Sequence, residues 1–162
     1  MSKTEETHKK ELRKSLVKGL VAGLIGGLVA TAVRAIAEKI YSPHPEEAPE
    51  PEAALAEKIA GRELTKAEEA VAVETIHWGF GALSGAAYGA LAEFYPAATA
   101  KEGAGFGVAL ASLTHEGTLP AIGISAPPEE QSIGERTGEM ASHALFGVVT
   151  ETVRRVVRKM LG

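Results

Sequence analysis

His77, His115, Glu116 and His143 stand inside long apolar stretches, with Glu139 one helical turn before His143. Ionisable groups are costly in a bilayer, so residues of this kind normally face a bundle interior and mark a site. Glu139 and His143 are four apart and reach one point from a single helix face. Imidazole and carboxylate together suit zinc, iron or manganese. The candidate metal set is therefore His115, Glu139 and His143, and a divalent metal is the one candidate for an otherwise unknown cofactor. His115 and Glu116 are neighbours and point about 100° apart on a helix, so only one of them faces a shared centre squarely. His77 lies on a third segment and completes the candidate polar cluster. Interhelical hydrogen bonding that merely specifies packing is the competing account of the same residues.

Two local features sharpen the cluster. Glu135, Glu139, His143, Gly147 and Glu151 recur every fourth residue and form one slowly drifting helical stripe. Pro120 has no N–H, so the carbonyl of Glu116 loses its helical partner and a kink is expected there. A freed carbonyl beside His115 and Glu116 is a natural ligand or water site. No Gly-x-Ser-x-Gly elbow, cysteine nucleophile or phosphate-binding loop occurs. No catalytic residue is assigned, and the balance leans away from an enzyme.

The elements that must carry these residues are helical and membrane-like. Residues 16–40 form the first span, with Gly-Leu-Val-Ala-Gly-Leu-Ile-Gly-Gly-Leu-Val-Ala-Thr-Ala-Val uncharged between Lys18 and Arg34. That core is shorter than the roughly 20 residues of a full span, but the stems of Lys18 and Arg34 can snorkel to the interfaces. Residues 70–95, 103–125 and 134–160 are the second, third and fourth spans, the last with a basic end. A polar segment over 1–15 precedes them. A Pro/Glu-rich linker with short surface helices fills 41–69, including a helix over 53–60 and a capping box of Thr65 with Glu68. The expected fold is all-α: a single polytopic membrane domain of about four Gly/Ala-rich transmembrane helices, with a polar extramembrane loop. A soluble helical protein is the alternative, but the first two segments lack a polar face over four or more turns.

Composition adds limits. The chain has 162 residues, 17 Lys plus Arg against 21 Asp plus Glu, and a net charge of −4, which gives no footprint for nucleic acid. The basic clusters sit at the two chain ends, so an even number of spans puts both termini on the cytoplasmic side. There is no cysteine, which excludes disulfides and thiolate metal sites. Of the 18 glycines, Gly19, Gly23 and Gly27 and again Gly81, Gly85 and Gly89 recur at four-residue spacing. In lipid such small-residue ridges let helix backbones approach closely. Arg154 and Arg155 read as interface anchors.

Several stretches resemble YagU-like bacterial inner-membrane proteins, a domain of unknown function. They are Ala-Leu-Ser-Gly-Ala-Ala-Tyr-Gly-Ala-Leu-Ala-Glu-Phe-Tyr-Pro over 82–96, Thr-His-Glu over 114–116, Leu-Pro-Ala-Ile-Gly-Ile-Ser-Ala-Pro-Pro over 119–128, and His143 through Glu151-Thr-Val-Arg-Arg. The positions that match include Tyr88, Glu93, Pro96, His115, Pro120, Gly123, Pro127, Pro128, His143, Glu151, Arg154 and Arg155, and His77 and Glu139 match less closely. The resemblance implies a small polytopic protein of the bacterial inner membrane and brings no activity, substrate or cofactor.

The expected role is a non-enzymatic structural or accessory subunit that packs through its glycine faces. Its partners would be the lipid bilayer and either copies of itself, as a homo-oligomer, or other membrane-protein subunits. The alternative is an ion-, proton- or metal-handling membrane protein that uses the His/Glu cluster.

Overall fold

A computed structural model describes residues 3–40 and 51–162. The Pro/Glu-rich stretch expected as a linker lies, over 41–50, outside the described residues. The described residues are almost entirely helical and include no strand. Helix α1 runs Lys3–Ile40, α2 Pro51–Ala60, α3 Lys66–Phe94, α4 Ala104–Leu113, α5 Leu119–Ala121 and α6 Ile133–Met160. A 3-10 stretch, Pro96–Gly103, leads into α4, and a π-helical turn, Thr114–Thr118, joins α4 to α5.

Helix α1 is the central element. It packs on α3 along one side and on α6 along another, while α4 packs on α6 and α2 on α3. Gly19 meets Gly89, Gly23 meets Gly85 and Gly27 meets Gly81, so α1 and α3 run antiparallel with glycine against glycine. Gly26 faces Thr150 and Gly107 faces His143, which makes the α1–α6 and α4–α6 pairs antiparallel as well. The result is an up-down-up-down bundle in which the C-terminus lies beside the middle of α1, where the Lys18 ammonium donates to the carbonyl of Gly162.

A second ridge was not expected from the sequence. A Cβ on Gly147 would stand 2.8 Å from the Gly107 nitrogen, and one on Gly103 would stand 2.7 Å from Cβ of Glu151. Gly103 also has φ +89°, so both its conformation and its surroundings call for glycine. It follows two residues that hold left-handed angles without being glycine, Lys101 and Glu102, and together they reverse the chain into α4.

Capping residues set the helix starts. Thr65 accepts from the Glu68 N–H while the Glu68 carboxylate takes the Thr65 N–H, and Ser132 with Glu135 repeats the arrangement at α6. Arg62 also holds Glu68 through two bonds of 3.1 and 2.7 Å. The Arg62 hydrogen bonds, then the Thr65 backbone, pull the Glu68 carboxyl down to about 2. A carboxyl lowered in the folded state stabilises above its unfolded value and loses that contribution as pH falls through the folded one. A carboxylate-resolved NMR titration is therefore expected to show Glu68 changing charge near pH 2, with α3's first turn loosening below pH 4.5. A midpoint at an ordinary carboxylate value would remove this account of the cap.

The third expected span departs most from a continuous helix. Over 103–125 the chain forms the ten-residue α4, the π turn and the three-residue α5, then turns at Gly123 with φ +70°. The Leu119 N–H reaches back to the Thr114 carbonyl, widening the helix just before Pro120, whose nitrogen has no proton to give. Over Thr4–Ala37, α1 is the one described helix that is long and apolar enough by itself to cross a membrane. The polar segment expected over 1–15 is, from Lys3 onward, the first part of that same helix.

Burial is inverted relative to a water-soluble bundle. Buried apolar residues are mostly alanines, Ala22, Ala30, Ala86 and Ala111 among them, and the other fully buried side chains include Thr31, His143, Thr150 and Glu151. Large apolar side chains such as Leu20, Leu24, Val29, Leu83 and Val156 point outward.

Candidate functional site

The expected cluster assembles in part. Helix α6 carries Glu139 and His143 on its inward stripe, and the π turn swings His115 onto them. His115 Nε2 lies 3.5 Å from a Glu139 carboxylate oxygen, and His143 Nδ1 lies 3.4 Å from the same oxygen. The two imidazoles meet edge to face with centroids 4.9 Å apart. One donor atom from each of His115, Glu139 and His143 lies within 4.8 Å of the others. Glu139 and His143 are almost wholly buried. His143 Nδ1 is also 3.0 Å from the Glu139 carbonyl, a contact that places a proton on Nδ1 and leaves Nε2 as the lone-pair nitrogen.

Sequence reasoning missed one member of this group. Arg34, expected to snorkel to the interface, turns inward instead. Its Nε donates to Ser142 Oγ at 2.9 Å, and its terminal nitrogens lie 3.5 Å from Glu139 and from His143 Nε2. The signal was present: Ala22, Gly26, Ala30 and Arg34 form a four-residue row, in which Ala22 and Ala30 are fully buried and Gly26 packs against Thr150 of α6. Continuing that row points Arg34 at α6 as well. An arginine that finds a carboxylate and a hydroxyl along its own packing face turns inward to them.

The other two expected members sit elsewhere. Glu116 points away from the centre and binds Arg136 at 2.5 and 3.0 Å. That separation follows from the roughly 100° between adjacent residues. His77 faces Glu52 of α2 at 3.6 Å rather than His115. Burial alone would raise the Glu52 carboxyl, but the facing imidazole and the Glu52 backbone bring it below the ordinary carboxylate value.

His77 still shares a chamber with the cluster. A cavity of about 330 Å³ lies between α1, α2, α3, the π turn and α6, with Arg34, Glu52, His77, His115 and His143 on its wall. The remaining lining is largely apolar, including Ile76, Phe80, Leu110 and Phe146. Its size is that of a small-molecule pocket, and its make-up follows the usual form of apolar walls with a few convergent polar groups.

A second polar network occupies the end of the bundle where the C-terminus lies. Tyr88 donates to Glu151 at 2.8 Å, Arg154 grips the same carboxylate at 2.6 and 2.9 Å, and Arg155 reaches it at 2.6 Å. Arg158 binds Glu93 at 2.7 and 3.1 Å, and Ser15 donates to Glu93 from α1. Arg154, expected as an interface anchor, is thus buried and paired with Glu151, with Gly26 of α1 packed close to its backbone. These short bonds leave no space for another atom. The contacts around Glu139, at 3.4 to 3.5 Å, are too long for good hydrogen bonds. Of these, the His115 Nε2 to Glu139 separation of 3.5 Å is close to the roughly 3.4 Å between two ligands of a tetrahedral metal with bonds of about 2.1 Å.

The six glycines expected to pack helices are all used between α1 and α3. No curated protein and no solved structure matches the chain. The model of one family, described as a protein of unknown function (DUF1440), matches residues 28–152. That stretch holds Arg34, Glu52, His77, His115, Glu139, Ser142 and His143 and most of the helical core. The chain belongs to the DUF1440 family of proteins of unknown function.

Proposed function

We propose that this protein is a polytopic inner-membrane protein that binds a divalent transition-metal ion between His115, Glu139 and His143. The observation that carries the reading is the convergence of these three residues, each with a donor atom within 4.8 Å of the others, with His115 and His143 on the wall of the chamber. The inverted burial supports the membrane setting, because lipid-facing surfaces are apolar while polar groups find partners inside. In this reading α1, α3, the α4–α5 stretch and α6 are four crossing segments, and the resemblance to YagU-like proteins favours the bacterial inner membrane. The basic ends lie together and face the cytoplasm, as the positive-inside rule favours. The metal then sits toward the opposite, outer side: Arg34 is 16 residues beyond Lys18, or about 24 Å along α1. A purely structural or accessory role loses its main support, since the ridges that would bind a partner are occupied inside the chain.

Elemental analysis tests the reading. Protein purified in mild detergent without a His-tag is expected to carry about one zinc, iron or manganese per chain. His115→Ala and Glu139→Gln are each expected to reduce that content at least tenfold while the melting transition survives. Wild-type protein with no more metal than the variants would sink it.

A further inference from the structure

The chamber is larger than a metal ion requires, and its form indicates what else enters. Three protein ligands leave a tetrahedral metal with one open position, the arrangement of sites that take an exogenous ligand. His115 and His143 belong both to the candidate ligand set and to the chamber wall, so an ion held there borders the cavity. Away from them the walls are apolar, with Leu55, Ile76, Leu110 and Phe146. The lining residues Phe80 and Ile122 are 42% and 39% exposed, so the chamber opens beside apolar side chains, with Lys58 donating to the Ile122 carbonyl at its edge.

We propose that the chamber binds a single-chain carboxylic amphiphile, its carboxylate on the open metal position and its chain along the apolar wall. The inference rests on the metal reading above. Charge favours the carboxylate head: a divalent ion and Arg34 outweigh Glu139 and Glu52 by one positive charge, which a monoanion neutralises. Shape and polarity favour the chain, since a free inorganic anion would leave the apolar remainder of the cavity unfilled. Entry past Phe80 and Ile122 brings the chain in beside apolar side chains. Arg34, held by Ser142 at 2.9 Å, stands beside the ligand set and supplies the second cationic contact for the head.

Cobalt(II) substitution gives the test, because its visible spectrum reports both loading and changes at the open position. Octanoate, acetate and octyltrimethylammonium are titrated into the cobalt-loaded full-length protein in a neutral detergent. Octanoate is expected to shift the spectrum and to half-saturate at least tenfold below acetate, while octyltrimethylammonium leaves it unchanged. Leu110→Trp, which fills part of the chamber without touching a ligand, is expected to retain cobalt and erase the octanoate preference. A cobalt spectrum on which octanoate and acetate act equally, or one that neither moves, would overturn this inference and leave the metal reading standing. Failure of the wild-type protein to bind cobalt at all would overturn the metal reading and this inference with it.

Discussion

Gly85→Leu is expected to abolish the folded protein, whereas Gly79→Leu, six residues earlier on the same helix, is expected to be tolerated. A Cβ on Gly85 would stand 2.5 Å from the Gly23 carbonyl oxygen and 2.6 Å from the Gly27 Cα. Both neighbours are backbone, so no rotamer change relieves the clash, and α1 must leave α3. Gly23 and Gly27 stand one turn apart on α1, and Gly85 fits between them, so separating the helices at this level opens the ridge on both sides. The cost lies beyond the 1–3 kcal/mol usual for overpacking and in the range above about 4 kcal/mol that single substitutions rarely reach. A side chain at Gly79 meets nothing within 4 Å, and replacing glycine in a helix interior gains up to about 1 kcal/mol of propensity. Size-exclusion profiles and melting curves in detergent check the pair. Equal behaviour of the two variants would mean that α1 and α3 do not meet through these glycines.

That contrast also shows what the sequence could and could not convey. Four-residue spacing identified Gly19, Gly23, Gly27, Gly81, Gly85 and Gly89 because periodicity survives in one dimension. It could not say that one row closes on the other, since nothing local specifies a partner. Gly103, Gly107 and Gly147 were not read as a packing ridge for a related reason: they form one only when α4 lies on α6, and the reversal at Lys101 to Gly103 that puts it there has no strong sequence signature. At the site, the i to i+4 pair Glu139 and His143 was legible from spacing, and His115 from its place in an apolar run. Arg34 was not, because a lone arginine at the end of an apolar stretch reads as an anchor until Gly26, two turns earlier in the same row, is seen to face α6. Glu116 failed in the opposite direction. Its type suited the cluster, but its angular position beside His115 sent it to Arg136.

Glu151→Ala is expected to be the most damaging polar substitution, with a loss of about 3–5 kcal/mol, the range for breaking a buried ion pair from one side. Glu151 is 1% exposed and takes bonds from Tyr88, Arg154 and Arg155, so its removal strands a buried guanidinium and a buried phenol together. Tyr88→Phe removes one donor and leaves the charges paired, so it should cost about 1 kcal/mol. Arg155→Ala removes the half-exposed partner and should cost less than about 1 kcal/mol. The decisive comparison is the double variant Glu151→Met with Arg154→Met. If the damage in Glu151→Ala comes from an uncompensated charge, removing that charge as well should restore most of the stability, because apolar replacement of a buried pair is often close to neutral. Thermal denaturation of the four variants in one detergent measures the ranking. A double variant as unstable as Glu151→Ala would show instead that this network positions α6 against α3 through shape. The basic end of the bundle would then be held as its middle is, by close contact of backbones rather than by charge.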